Sequence, residues 1–208
     1  MGSKRALERR LATIGGFAHP RVDLEQYPTP ADIAAQLVHL ADLEGDVAGS
    51  TVVDLGTGTG VLALGCALRG AQRVLGVERD VRALAIARQN ERQLDPPVTV
   101  DWLLADAMRA PLCPGEPVTV LMNPPFGAQR GSAHADRAFL STASEIAAVS
   151  YSFHNAGSEE FVSAFATDNG GECTHAVAVS FDLEHQFDFH TEERAVVPVE
   201  CYRIEWNG

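Results

Sequence analysis

The sequence predicts an α/β protein: a doubly wound, mostly parallel seven-stranded sheet closed by a C-terminal antiparallel hairpin and preceded by an N-terminal helical extension. Three observations carry this. Short β-branched runs alternate with helical periodicity from residue 51 onward, as strands and crossover helices do in a parallel sheet covered on both faces. A glycine-rich turn joins the first such run to the first such helix. The last two apolar runs, 172–182 and 196–206, follow one another with only a polar loop between them, which is the pattern of a hairpin.

In chain order, residues 4–14 read as a charged helix ended by Gly15-Gly16. Thr29 before Pro30 offers a capping hydroxyl followed by proline at the first helical position, so a helix is expected to about Leu43, with Ile33, Leu37 and Leu40 on one face. Strands are expected at 51–55, 73–78, 98–104, 117–122 and 147–152. Helices are expected at 61–70, 80–93 (capped by Asp80), 136–146 (capped by Asp136) and 158–168. Residues 127–135 are polar with two glycines and read as a mobile loop. Right-handed crossovers make such a sheet doubly wound. The organisation is one domain over 1–208, with 1–45 as helical extension and cofactor-covering segment and 51–208 as catalytic core.

The chain's 208 residues suffice for one substantial core. No apolar run reaches the length of a membrane span, and the charged start lacks the apolar centre of a signal peptide. Cys66, Cys113, Cys173 and Cys201 lie far apart, without zinc-site spacing, and are expected to be small reduced core residues in a cytoplasmic protein; no metal site is expected. The net charge is −12, with 28 acidic and 16 basic residues, and Lys4 is the only lysine. Scattered acid with almost no lysine points to adaptation to a salty cytoplasm. Nucleic-acid binders are usually basic, but at about 1 M salt screening shrinks to ~3 Å and phosphate contacts contribute little.

Asp54-Leu55-Gly56-Thr57-Gly58-Thr59-Gly60 lies between the first strand and its helix, where open parallel sheets bind ligands. Its Gly-x-Gly-x-Gly spacing differs from the dinucleotide fingerprint. Glu78 ends the second strand, where a carboxylate accepts both hydroxyls of a ribose. Asp106 follows the third strand, placed for the amine of an adenine, with the Ala107 amide at a ring nitrogen. Asp54 is matched to a cationic ammonium or sulfonium, which favours S-adenosylmethionine over a dinucleotide.

Asn123-Pro124-Pro125-Phe126 follows the fourth strand. An amine on an aromatic ring is a poor nucleophile, because its lone pair is delocalised. Two acceptors, the Asn123 side-chain oxygen and the Pro124 carbonyl, can hold both amine hydrogens and localise that pair. Prolines lack N–H and fix φ, so the carbonyl is aimed rigidly. Phe126 offers a face for stacking a base. The chemistry needs neither metal nor strong general base.

These motifs, with Gly16-Phe17, Leu24-Glu25-Gln26-Tyr27-Pro28-Thr29, Ala138-Phe139-Leu140, Tyr151-Ser152 with His154, and Phe189-His190, resemble the small-subunit ribosomal RNA adenine-N6 methyltransferases, a group of class I, Rossmann-like methyltransferases. The resemblance covers nearly the whole chain. It implies catalysis by Asn123, Pro124, Pro125 and Phe126. It implies a cofactor pocket from Gln26, Tyr27 and Thr29 on the extension and Asp54, Gly56, Gly58, Thr59, Gly60 and Val61 at the first strand. Glu78, Arg79, Asp106 and Ala107 complete that pocket. It also implies a heterodimer with a small zinc-binding activator protein that adds a strand to the sheet edge at Val98, Val100 and Trp102, whose alternation reads as an uncovered apolar edge. The sequence departs from that group in charge: 155–158 and 191–194 lack lysines. His154 and His190 read as packing or hydrogen-bonding residues. Two other readings stay open, a methyltransferase acting on the glutamine amide of release factors and a catalytically inactive scaffold subunit.

Overall fold

The computed structural model describes residues 2–113, 115–125, 135–184 and 194–207. The strands are β1 (Thr51–Leu55), β2 (Arg73–Glu78), β3 (Val100–Leu104), β4 (Val118–Met122), β5 (Ala147–Asn155), β6 (Gly171–Glu184) and β7 (Arg194–Trp206). They form one sheet in the order β3-β2-β1-β4-β5-β7-β6. The first five are parallel to their neighbours, and β7 and β6 run antiparallel. The order reverses between β1 and β4, so a crevice opens above the carboxyl ends of those strands.

Alternation along each strand divides the core. Val52, Val74, Val100 and Leu121 face one side, under α1 (Lys4–Leu11), α2 (Ala31–Leu43), α3 (Val61–Leu68) and the end of α4 (Val81–Leu94). Val53, Val77, Val120 and Met122 face the other, under α5 (Ala135–Ile146) and α6 (Glu159–Asp168). The sheet is thus doubly wound, as the sequence predicts.

Local boundaries move where long-range partners intervene. Helix α1 stops at Leu11 rather than 14, because the Thr13 hydroxyl bonds Arg10 O (2.8 Å) and the Asn90 side chain clamps both the N–H and C=O of Gly15. Thr29 does not cap α2: Pro30 is the N-cap residue, without a side-chain bond. Asp80 caps α4 as expected, accepting from Arg82 N. Asp136 lies inside the first turn of α5, not before it, and accepts from Arg137 N. Strand β5 runs three residues past the expected end, because β7 pairs with it as far as Asn155. The β6–β7 ladder continues beyond that point for five more residue pairs, to Glu184 with Arg194.

Strand β3 is an edge, as expected, but begins at Val100. Its apolar row is not uncovered. Glu91 of α4 takes Val100 N–H and Trp102 Nε1 (2.7 Å each), and Val98, Val100 and Trp102 pack into the core under that helix. What β3 leaves open is its main-chain edge and Leu104, which is 56% exposed. All four cysteines are free; Cys66 and Cys201 are buried, whereas Cys173 is only half-buried and Cys113 is exposed, against the expectation of core positions. No helix among the described residues is long and apolar enough to cross a membrane.

Candidate active site

A cavity of about 950 Å³ opens at the carboxyl ends of β1, β2 and β4, roofed by residues 24–29 of the segment before α2. Gln26, Tyr27 and Thr29 line it from that roof. Gly56, Gly58, Thr59 and Val61 line it from the turn after β1. Glu78 and Arg79 follow from β2, Asp106 and Ala107 from the end of β3, and Asn123 and Pro125 from β4. Strand ends far apart in sequence therefore converge on one space.

The turn after β1 is built around carboxylates. Glu78 accepts Gly58 N–H on one oxygen (2.9 Å) and the Arg79 and Asp80 N–H groups on the other (2.8 and 2.9 Å). Burial raises its pKa and these amides pull it back. A carboxylate has about four acceptor directions, so three bonds leave one toward the cavity. Asp106 accepts from Met108 N (3.0 Å), capping the short turn Ala107–Arg109, and also lines the cavity.

Two residues expected in the pocket do not line it. Asp54 is 1% exposed beneath the turn, where one oxygen accepts the Thr57 hydroxyl (2.6 Å) and Ala63 N–H (3.0 Å). Burial pushes its pKa up to about 7. It shapes the turn and α3 rather than meeting a ligand's cation. Gly60 is required by packing: a Cβ there would stand 2.8 Å from the Trp102 ring. Pro124 is buried behind the cavity wall, and Phe126 lies outside the described residues, with most of the 127–135 segment and His190.

Gly56 does face the cavity. Its φ is +71°, and a Cβ would stand 2.9 Å from the Phe139 ring on the other side. The backbone at this point is pressed between a ring and the open space, a cradle that admits a ligand close to main chain.

At β4 the geometry is of a different kind. Asn123 Nδ2 donates to Thr29 Oγ1 at 2.8 Å, a contact across 94 residues that ties the roof to the sheet. Its Oδ1 is buried with no hydrogen-bond partner among the described residues. A buried acceptor without a partner is costly and rare in a folded protein. Here it sits in the wall of a cavity.

Sequence reasoning missed Phe17, Phe139 and Glu25. The two rings pack against Gly58 and Gly56 from opposite segments, and no local pattern marks them. Glu25 is 8% exposed, lines the cavity, and has φ +47°, a left-handed conformation uncommon for glutamate. The only sequence signal was its place beside Gln26. His154 is a packing residue: it is buried, bonds Ser152 Oγ (2.8 Å), and meets Tyr202 and Phe161 edge-on, with burial pushing its pKa down to about 4.

Comparison with known proteins agrees with this architecture. Residues 29–149 match the methyltransferase small domain family. The chain is 33% identical to the rRNA N(6)-adenosine-methyltransferase Mettl5 of Drosophila melanogaster, over 97% of this chain and 95% of that protein. It is 30% identical to the rRNA N(6)-adenosine-methyltransferase METTL5 of Danio rerio, over 96% and 97%. A crystal structure from Pyrococcus horikoshii superposes with a TM-score of 0.87 at 37% identity, covering 99% of this chain and 98% of the other. With a nucleoside-sized cavity at the switch point and an Asn-Pro-Pro turn at its rim, the chain belongs to the methyltransferase small domain family, alongside the METTL5 proteins, and is an S-adenosylmethionine-dependent methyltransferase.

Proposed function

We propose that this enzyme methylates N6 of an adenine in small-subunit ribosomal RNA. The observation that carries the reading is the buried, unpartnered Asn123 Oδ1 beside two prolines, because it is an acceptor waiting for a donor. The names of the Drosophila and zebrafish relatives support adenosine of rRNA as the substrate.

The cavity fits S-adenosylmethionine. Glu78 has an acceptor direction left for a ribose, Asp106 and Ala107 stand at the adenine end, and Gly56 and Gly58 let the ligand approach main chain. Gln26, Tyr27 and Thr29 cover it, with Thr59, Val61 and Arg79 completing the wall. When bound, the cofactor supplies an electrophilic methyl group on a sulfonium. The protein does the rest. Asn123 Oδ1 and the Pro124 carbonyl accept the two amine hydrogens, which localises the nitrogen lone pair and turns it toward the cofactor. Thr29 holds the Asn123 amide so that its oxygen, not its nitrogen, faces the amine. Pro124 and Pro125 fix the backbone, so the acceptors need no reorganisation during transfer. Phe126 stacks the base. The roof excludes water, and the proton leaves the product nitrogen after transfer.

The enzyme works as a heterodimer with a small zinc-binding activator protein that adds a strand to β3. Support comes from the open main-chain edge of that strand and from exposed Leu104 beside it. The complex acts in the cytoplasm, and the charge of −12 with one lysine reflects adaptation to salt. The test is transfer of labelled methyl to ribosomal RNA, with and without the activator, followed by nucleoside analysis. Label on N6-methyladenosine is expected, with higher yield and solubility when the activator is co-expressed. Label confined to protein would overturn the substrate assignment.

A further inference from the structure

The cofactor's methionine portion brings a permanent α-ammonium, and Asp54, the sequence's candidate for that charge, is sealed beneath the turn after β1. Three other carboxylates line the cavity among the described residues: Glu25, Glu78 and Asp106. Glu78 is occupied by three backbone amides and Asp106 caps its own turn. Glu25 stands apart in how it is held. Its φ of +47° costs a non-glycine residue on the order of 1 kcal/mol and persists only where the surroundings fix it. They do: Glu25 N–H donates to Val22 O (3.0 Å), and Tyr27 N–H donates to Glu25 O (2.9 Å). The next residue, Gln26, accepts Arg21 N–H (2.9 Å) and donates to Asp80 (2.8 Å), which pins the whole turn to the β2–α4 junction. The result is a buried carboxylate in the cavity roof on a rigid, strained turn.

We propose that Glu25 receives the α-ammonium of the cofactor's methionine portion. This rests on the cavity being the cofactor site. The ammonium rather than the sulfonium is the productive target. The sulfonium charge vanishes during transfer, so a carboxylate on it would stabilise the ground state more than the transition state and slow the reaction. The ammonium charge is unchanged throughout.

Titration calorimetry of the full-length chain with three ligands tests this without turnover. S-adenosylmethionine and S-adenosylhomocysteine share the ammonium; 5′-methylthioadenosine keeps the adenosine and sulfur but lacks the amino-acid portion. Glu25→Gln is expected to weaken the first two by about tenfold or more, to similar extents, and to leave the third unchanged. Glu25→Gly removes the carboxylate while accepting the positive φ, so it should show the same losses without a lower melting temperature. Unchanged affinity for the first two ligands would overturn the proposal. So would equal loss of 5′-methylthioadenosine, which means a structural role, or loss of S-adenosylmethionine alone, which means a sulfonium contact. A wild-type chain that binds none of the three would remove the cofactor site itself and this proposal with it. A substrate other than ribosomal RNA would leave it intact.

Discussion

The ends of β2 and β4 both deliver a polar side chain to the same cavity, yet they treat it in opposite ways. Glu78 is surrounded by amides: Gly58, Arg79 and Asp80 all donate to it, and its charge is spent largely on holding the chain. Asn123 has one half anchored by Thr29 and the other half empty. Preorganisation here means saturating the groups that shape the site and leaving unsaturated the one that meets the reacting atom. Asp54, below the turn after β1, belongs with Glu78.

The contrast can be broken first at Asn123. Asn123→Ala removes the unpartnered acceptor and should lower methyl transfer by about 10²–10³-fold, the scale of a lost preorganised hydrogen bond. Cofactor affinity, read by calorimetry, should stay within a few fold; a parallel collapse of both would make Asn123 a shaping residue like Glu78.

Asp54 tests the shaping side through pH. Its folded pKa, about 7, lies above the ordinary 3.8, so the native state holds its proton more tightly than the unfolded chain. Stability from this group is full below about pH 4 and falls as pH rises toward 7, then levels off; the fall is on the order of a few kcal/mol. Asp54→Asn should flatten that part of a chemical-denaturation profile. An unchanged slope would mean that another group titrates there.

Thr29→Val sharpens the comparison most finely. The amide of Asn123 then loses its anchor and can turn. A loss of about tenfold in kcat with little change in cofactor affinity is expected, whereas a change in affinity alone would place Thr29 among the cofactor contacts only.

What the sequence revealed was whatever lay within one turn of a strand end. The Gly-x-Gly-x-Gly turn, Glu78, Asp106 and Asn123 each announce themselves by position, because strand periodicity fixes where a strand stops. What it concealed depends on contacts across the fold. Thr29 before a proline has every local mark of a helix cap, and its partner is 94 residues away. Gly60 reads as a ligand glycine, but the Trp102 ring is what excludes a side chain there. Asp54 and Glu78 end neighbouring strands with the same chemistry. Only the depth of Asp54 beneath the turn separates a loop brace from a cavity wall, and depth is a property of packing, not of pattern.

The long hairpin has a consequence of another kind. From Ser180 with Pro198 to Glu184 with Arg194, β6 and β7 run on beyond the last β5 pair, past the same end of the sheet that carries the cavity. That stretch is a ribbon with one ladder, and a ribbon of two strands is marginally stable in water. Its local opening is therefore uncoupled from global unfolding. Amide exchange along β7 should be slow at Ile204, which is buried between β5 and β6, and fast before Val199, so that a single strand spans the range from the most to the least protected part of the molecule.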